Sequence, residues 1–91
     1  PIIVDAADIR ADPARTLQRL CARLGIPWTE NMLSWPAGGH VADGVWAAHW
    51  YGAIHRSTGF DGPEGPLPEG NDRLVDAGLP HYEALAARKF T

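Results

Sequence analysis

Two bracketing signals, Asp12-Pro13 and Gly25-Ile26-Pro27, constrain this chain more than any other feature. An Asp can accept a hydrogen bond from a free N–H of a first helical turn. A Pro just inside that turn loses nothing, because its missing N–H would have no partner there. Gly25 suits a left-handed helix stop, and Pro27 prevents continuation. Between the signals, Leu17, Leu20, Cys21 and Leu24 fall at i, i+3, i+4 and i+7, which is one apolar face. The spacing predicts a helix over 13–24, with Arg15, Arg19 and Arg23 on the solvated side. A single apolar stripe must be covered by something else.

The remaining punctuation sorts the chain into short pieces. Ile2 to Val4 is β-branched and continuously apolar, so it reads as a short buried strand of the parallel-sheet kind over 2–4. Asp5 to Arg10 reads as a turn or one helical turn. Thr29 can cap a helix over about 30–34, which Trp35-Pro36-Ala37-Gly38-Gly39 then breaks. Asp43 can cap a helix over 44–56, with Trp46, Trp50, Ala53 and Ile54 as a packing stripe. The stretch GFDGPEGPLPEG makes 59–70 a loop, a mobile lid or a surface excursion. Pro68 or Asn71 opens a last helix over 69–89, kinked near 78–80 because Pro80 lacks a donor. The expected class is mainly α with one short N-terminal β-strand.

Length and charge narrow the function. At 91 residues the chain is one domain or a piece of one. A net charge of −3 disfavours nucleic-acid binding, which needs clustered Lys and Arg. No apolar run nears the roughly 20 residues of a membrane span. Cys21 is the one cysteine, which excludes an internal disulfide and suits a reducing, cytoplasmic setting. A strand needs neighbours, and this one lies at once after Pro1. That points to an N-terminal part of the same domain missing here, or to an oligomer partner.

The chemistry-bearing residues concentrate between Val45 and Phe60. His40, His49, His55 and His81 lack metal-ligand spacing, so no metal site is expected. His49 and His55 could act as bases. The plainer expectation puts His49 in the core beside the tryptophans and leaves His55 exposed. Tyr51 and His55, at i and i+4, share a face that could line a pocket. Arg56, Ser57 and Thr58 could hold an anion, although a helix C-terminus disfavours one. The candidate substrate-side residues are therefore Trp46, His49, Tyr51, His55, Arg56, Ser57 and Thr58. No Gly-rich phosphate loop or nucleophile elbow occurs.

The segment VDAADIRADPARTLQRLCARLGIPW resembles the late strand–turn–helix segment of P-loop sulfotransferases. MLSWPAGGHVADGVWAAHWYGAIHRSTGF is similar to a group of bacterial sulfotransferase-like proteins, and LPHYEALAARKF looks like that group's C-terminal helix. The resemblance implies the C-terminal portion of an α/β P-loop fold built on a parallel sheet. It implies 3'-phosphoadenosine 5'-phosphosulfate as sulfuryl donor for the parent protein, bound at an earlier phosphate loop. No cofactor-binding residue of this chain matches that loop, and the family's usual catalytic histidine belongs to an earlier segment. The expectation is a segment inactive alone that supplies the acceptor-side wall. A stand-alone small helical protein-binding module is the alternative. A small hydrolase built on His49 or His55 lacks a partnered nucleophile.

Overall fold

The computed structural model describes residues 1–66 and 69–90. Among the described residues five α-helices follow in order: α1 (Ala6–Ala11), α2 (Pro13–Leu24), α3 (Ala47–Trp50), α4 (Gly52–Arg56) and α5 (Asp72–Ala86). Two 3₁₀ turns, Glu30–Met32 and Val41–Asp43, lie between α2 and α3.

Capping chemistry sets the first two helices. Asp5 starts α1, its Oδ1 accepting the Ala7 N–H at 2.9 Å. Of the turn or single helical turn expected over 5–10, the helical form is the one present, capped by Asp5 and running over Ala6–Ala11. Asp12 closes α1 and opens α2, its Oδ1 accepting from Arg15 N at 3.2 Å. Gly25 ends α2 with φ 71° and ψ 27°, a left-handed conformation that costs glycine little. The two helices pack together, and the Thr16 hydroxyl donates to the Asp8 carbonyl at 3.1 Å.

The expected strand at 2–4 does not form. Residues 1–5 belong to no helix or strand, and among the described residues the β pairing is a single bridge, Ser34 to Gly59. A strand exists only through a ladder, and Ile3 instead accepts one backbone bond, from Phe90 N at 2.8 Å. The helix expected over 30–34 shortens to the 3₁₀ turn. Thr29 caps it, its hydroxyl accepting from Asn31 N at 3.3 Å. Ser34 then pairs with Gly59, and Pro36 biases Trp35 toward extended backbone.

The helix expected over 44–56 is broken twice. Gly44 has φ 81° and ψ 179°, outside any helix, and Tyr51 at φ −102°, ψ 11° separates α3 from α4. Asp43 does not cap α3, because its carboxylate turns back to His40 N at 2.7 Å. The helix expected over 69–89 spans Asp72–Ala86, and its assigned span is not split at Gly78 or Pro80. Asn71 precedes it in a left-handed conformation, φ 55°. Within the loop expected over 59–70, Leu67 and Pro68 lie outside the described residues, as does a helix start at Pro68. The loop's first half is held down. Arg10 Nε donates to the Gly62 carbonyl at 2.8 Å, and its guanidinium meets Glu64 at 3.0 Å.

Burial is sparse. Cys21 (5% exposed) and Ala47 (8%) are the buried apolar residues among those described. Cys21 Sγ sits 3.9 Å from Met32 Sδ, which joins α2 to the first 3₁₀ turn. Leu74, Val75, Leu79, Tyr82 and Leu85 of α5 are all exposed. The radius of gyration is 16.1 Å, against about 12 Å for a compact chain of this length.

Candidate functional site

The segment 34–60 folds back on itself. Trp35 N donates to the Thr58 carbonyl at 2.9 Å, and Gly38 N approaches the His55 carbonyl at 2.6 Å. Trp35 Nε1 donates to Ser57 Oγ at 2.9 Å, and its ring meets Phe60 edge-on at 5.5 Å. These contacts lay the Trp35–Asp43 stretch along α4 and the residues after it.

The fold-back makes a pair that sequence spacing concealed. His55 Nε2 lies 3.0 Å from Asp43 Oδ2, with the two side chains 28% and 30% exposed. The same carboxylate oxygen accepts the His40 N–H at 2.7 Å, while His40 Nδ1 accepts from Ala42 N at 3.1 Å. The His40 N–H, then the His55 imidazole, hold the Asp43 carboxyl below its ordinary value, against the opposing effect of partial burial. Gly39 makes room for the ring: a Cβ there would stand 2.9 Å from His55 Cε1. Tyr51 flanks the imidazole, the ring centres 6.0 Å apart and nearly perpendicular.

The candidate residues therefore divide. Tyr51 and His55 stand together, with the roles of the two histidines exchanged. His55 is the half-buried, hydrogen-bonded one. His49 is exposed, its ring 6.3 Å from that of Trp46. Trp46 and Trp50 stack on each other at 5.8 Å, but they remain 62% and 72% exposed, and Ile54 is also exposed. Their i, i+4 spacing makes a surface stack instead of a core stripe, because nothing in the described chain covers it.

At the Arg56–Ser57–Thr58 end, internal hydrogen bonds occupy the Ser57 hydroxyl. Ser57 Oγ donates to the Ile54 carbonyl at 2.6 Å and accepts from Trp35, so its hydrogen is spent within the chain. Thr58 contributes its carbonyl to Trp35, an acceptor that offers an anion nothing. Arg56 folds back over Gly52, where a Cβ would lie 3.1 Å from Nη1. These residues also terminate α4, at the negative end of its dipole.

Sequence reasoning assigned no chemical role to Asp43, because a helix cap explained it. The signal available was the glycine punctuation: Gly38-Gly39 and Gly44 flank a short turn that can carry Asp43 back onto the next helix. A second cluster lies elsewhere, where Tyr82, Asp5, Asp8 and Lys89 join the two ends of the fold. Lys89 Nζ is 2.9 Å from Asp8 Oδ2, an otherwise enclosed oxygen, and 3.7 Å from Asp5 Oδ2. A cleft of about 300 Å³ lies beside it, lined by Asp8, Asp12, Arg15, Thr16, Arg19 and Phe90 among others. Arg19 stands 5.8 Å from the centre of the Phe90 ring. Among the described residues no helix is long and apolar enough to cross a membrane.

The described residues form a mainly helical segment with a half-buried His–Asp pair and uncovered apolar faces. Residues 1–89 match the sulfotransferase domain family, and the chain belongs to that family. It is 41% identical over 88 residues to branched-chain-amino-acid aminotransferase-like protein 1 of Arabidopsis thaliana, a match covering 93% of this chain and 16% of that protein. Aminotransferase-like protein 2 of the same plant matches with the same identity and coverage. The chain thus spans about one-sixth of the length of these curated relatives. No solved structure gives a significant match.

Proposed function

We propose that this chain is the acceptor-side segment of a cytoplasmic, P-loop-type sulfotransferase domain and is inactive alone. The observation that carries the reading is the uncovered apolar surface of a family member. The face of α5 and the Trp46–Trp50 stack are exposed together, a pattern that marks surfaces made to be covered. The rest of the same domain is the proposed cover. Sulfuryl transfer needs positive charge aimed at a developing anion, and at the end of α4 the Ser57 hydroxyl is engaged within the chain. The donor, 3'-phosphoadenosine 5'-phosphosulfate, is therefore proposed to bind residues outside 1–91. The acceptor faces Tyr51 and His55.

The relatives' aminotransferase-like names belong to proteins of which this chain spans 16%, so they carry no second reading of it. Lys89 is the sole lysine. The Asp8 carboxylate beside it raises its pKa above the ordinary value, with partial burial opposing.

Calorimetric titration of the 91-residue chain with the donor nucleotide tests the assignment. No heat of binding is expected, and a micromolar dissociation constant overturns it. The stand-alone binding module is the competing outcome. It predicts a monodisperse chain that unfolds cooperatively, whereas an uncovered segment self-associates.

A further inference from the structure

We infer that α2 and α5 carry a charge-matched surface on which a second copy of this chain docks, the arginine stripe of one copy's α2 against the acidic stripe of the other's α5. The inference stands apart from the donor and acceptor assignment, since neither helix belongs to the His55 fold-back.

Spacing and exposure carry the argument. At about 100° per residue, Arg15, Arg19 and Arg23 fall within about 80° of arc on α2, a helix without one acidic residue. On α5, Asp72, Asp76 and Glu83 fall within about 40°, and no basic residue lies inside that arc. All six residues are exposed, and among the described residues none of them enters an ion pair. The arginines span about 12 Å along their helix and the carboxylates about 16 Å. With the two helices antiparallel, Arg23 stands opposite Asp72 and Arg19 opposite Asp76. The long side chains of Arg15 and Glu83 close the remaining gap. Antiparallel helices also set their dipoles in opposition, which favours that pairing.

Charge complementarity points to a second copy as the occupant. Both stripes belong to one chain, yet they do not meet within it. Phe90, just beyond α5, lies 5.8 Å from the Arg19 guanidinium, so the acidic helix ends beside the arginine stripe. Even so, no arginine of α2 reaches a carboxylate of α5. A two-fold arrangement lets each copy supply both halves, and every pair then forms twice. A net charge of −3 gives two copies no general attraction, so the contact depends on these local stripes. Leu79, 44% exposed, borders the acidic arc and adds an apolar contact. Val75, Tyr82 and Leu85 lie on the adjoining side, the face assigned above to the rest of the domain. Exposed ion pairs are individually weak and are screened by salt, so the dimer is weak and salt-sensitive.

Sedimentation equilibrium of the full-length protein tests this, whether or not sulfuryl transfer occurs. A closed dimer is expected at low salt, its dissociation constant rising about tenfold or more between roughly 0.05 M and roughly 0.5 M salt. Arg15→Glu, Arg19→Glu and Arg23→Glu together should abolish the dimer, as should Asp72→Lys, Asp76→Lys and Glu83→Lys together. An equimolar mixture of the two triple variants should restore it, because each stripe then meets its opposite charge. That recovery also shows that both variants fold. A monomer at every salt concentration leaves the stripes to solvent or to the rest of the domain, and overturns the proposal. Association that strengthens with salt marks an apolar contact instead, and growth beyond the dimer marks an open assembly; either overturns it. So does a mixture no more associated than its components when circular dichroism shows both variants folded.

Discussion

The Tyr82 hydroxyl donates to Asp5 Oδ2 at 2.6 Å, joining residues 77 positions apart. Asp5 uses its other oxygen to cap α1, so one carboxylate ties the start of the first helix to the last. The apolar residues of α5 are exposed, and this bond, the Lys89 pairs and the Phe90 N–H to the Ile3 carbonyl hold the C-terminal end. Tyr82→Phe should therefore release α5 selectively. Hydrogen exchange should quicken by several-fold in 72–86 while α2 amides stay protected, because stability is distributed by region. Equal quickening in both helices would contradict this.

The same cluster gives a pH dependence with two signs. Asp5 lies below its ordinary 3.8, first through the Tyr82 hydroxyl and then the Ala7 N–H. Asp43 is lowered too, chiefly by His40 N–H. Their contribution is present above 3.8 and is lost as pH falls through the lowered folded values. Lys89 lies above its ordinary 10.5 through Asp8. Its contribution is full below 10.5 and is lost as pH rises through the raised folded value. Denaturation midpoints recorded across pH should fall at both extremes. Asp43→Asn should flatten the acid limb and leave the alkaline one alone.

Gly39 is the steric counterpart of the Asp43–His55 pair. A Cβ there would stand 2.9 Å from His55 Cε1 and 3.3 Å from Asp43 Oδ2. Gly39→Ala should push the imidazole off the carboxylate, at a cost near the low end of the about 1–3 kcal/mol typical of overpacking. The expected signature is a shifted His55 resonance with His49 and His81 unmoved. An unchanged His55 signal would show that the ring is not seated there.

Asp12 serves two helices, ending α1 and capping α2. Asp12→Ala should cost about 1 kcal/mol, the usual loss of a side-chain cap. Thermal unfolding followed by circular dichroism checks it, and an unchanged midpoint would mean that the Asp12 cap adds nothing.

These residues also show what could be read in advance. Asp12, Pro13 and Gly25 announce α2 because capping and stop chemistry are local, and the Leu17–Cys21–Leu24 spacing places Cys21 inward. The break at Gly44 was not legible, since a glycine is tolerated in a helix unless the chain needs its unusual φ. Trp46 and Trp50 look like core by period, yet period identifies a face and not what covers it. Asp43–His55 and Tyr82–Asp5 are tertiary contacts made by fold-backs, and no local pattern encodes them. The strand at 2–4 failed for the same reason: its apolar sequence is sufficient for a strand, but no neighbour lies among the described residues.

The central claim is that this family member supplies the acceptor side and another part of the domain holds the donor. Calorimetric titration of 3'-phosphoadenosine 5'-phosphosulfate into the 91-residue chain and into the full-length protein tests it most directly. The account predicts micromolar binding by the full-length protein and no heat from the chain. Binding by the chain alone, or none by the full-length protein, would contradict it.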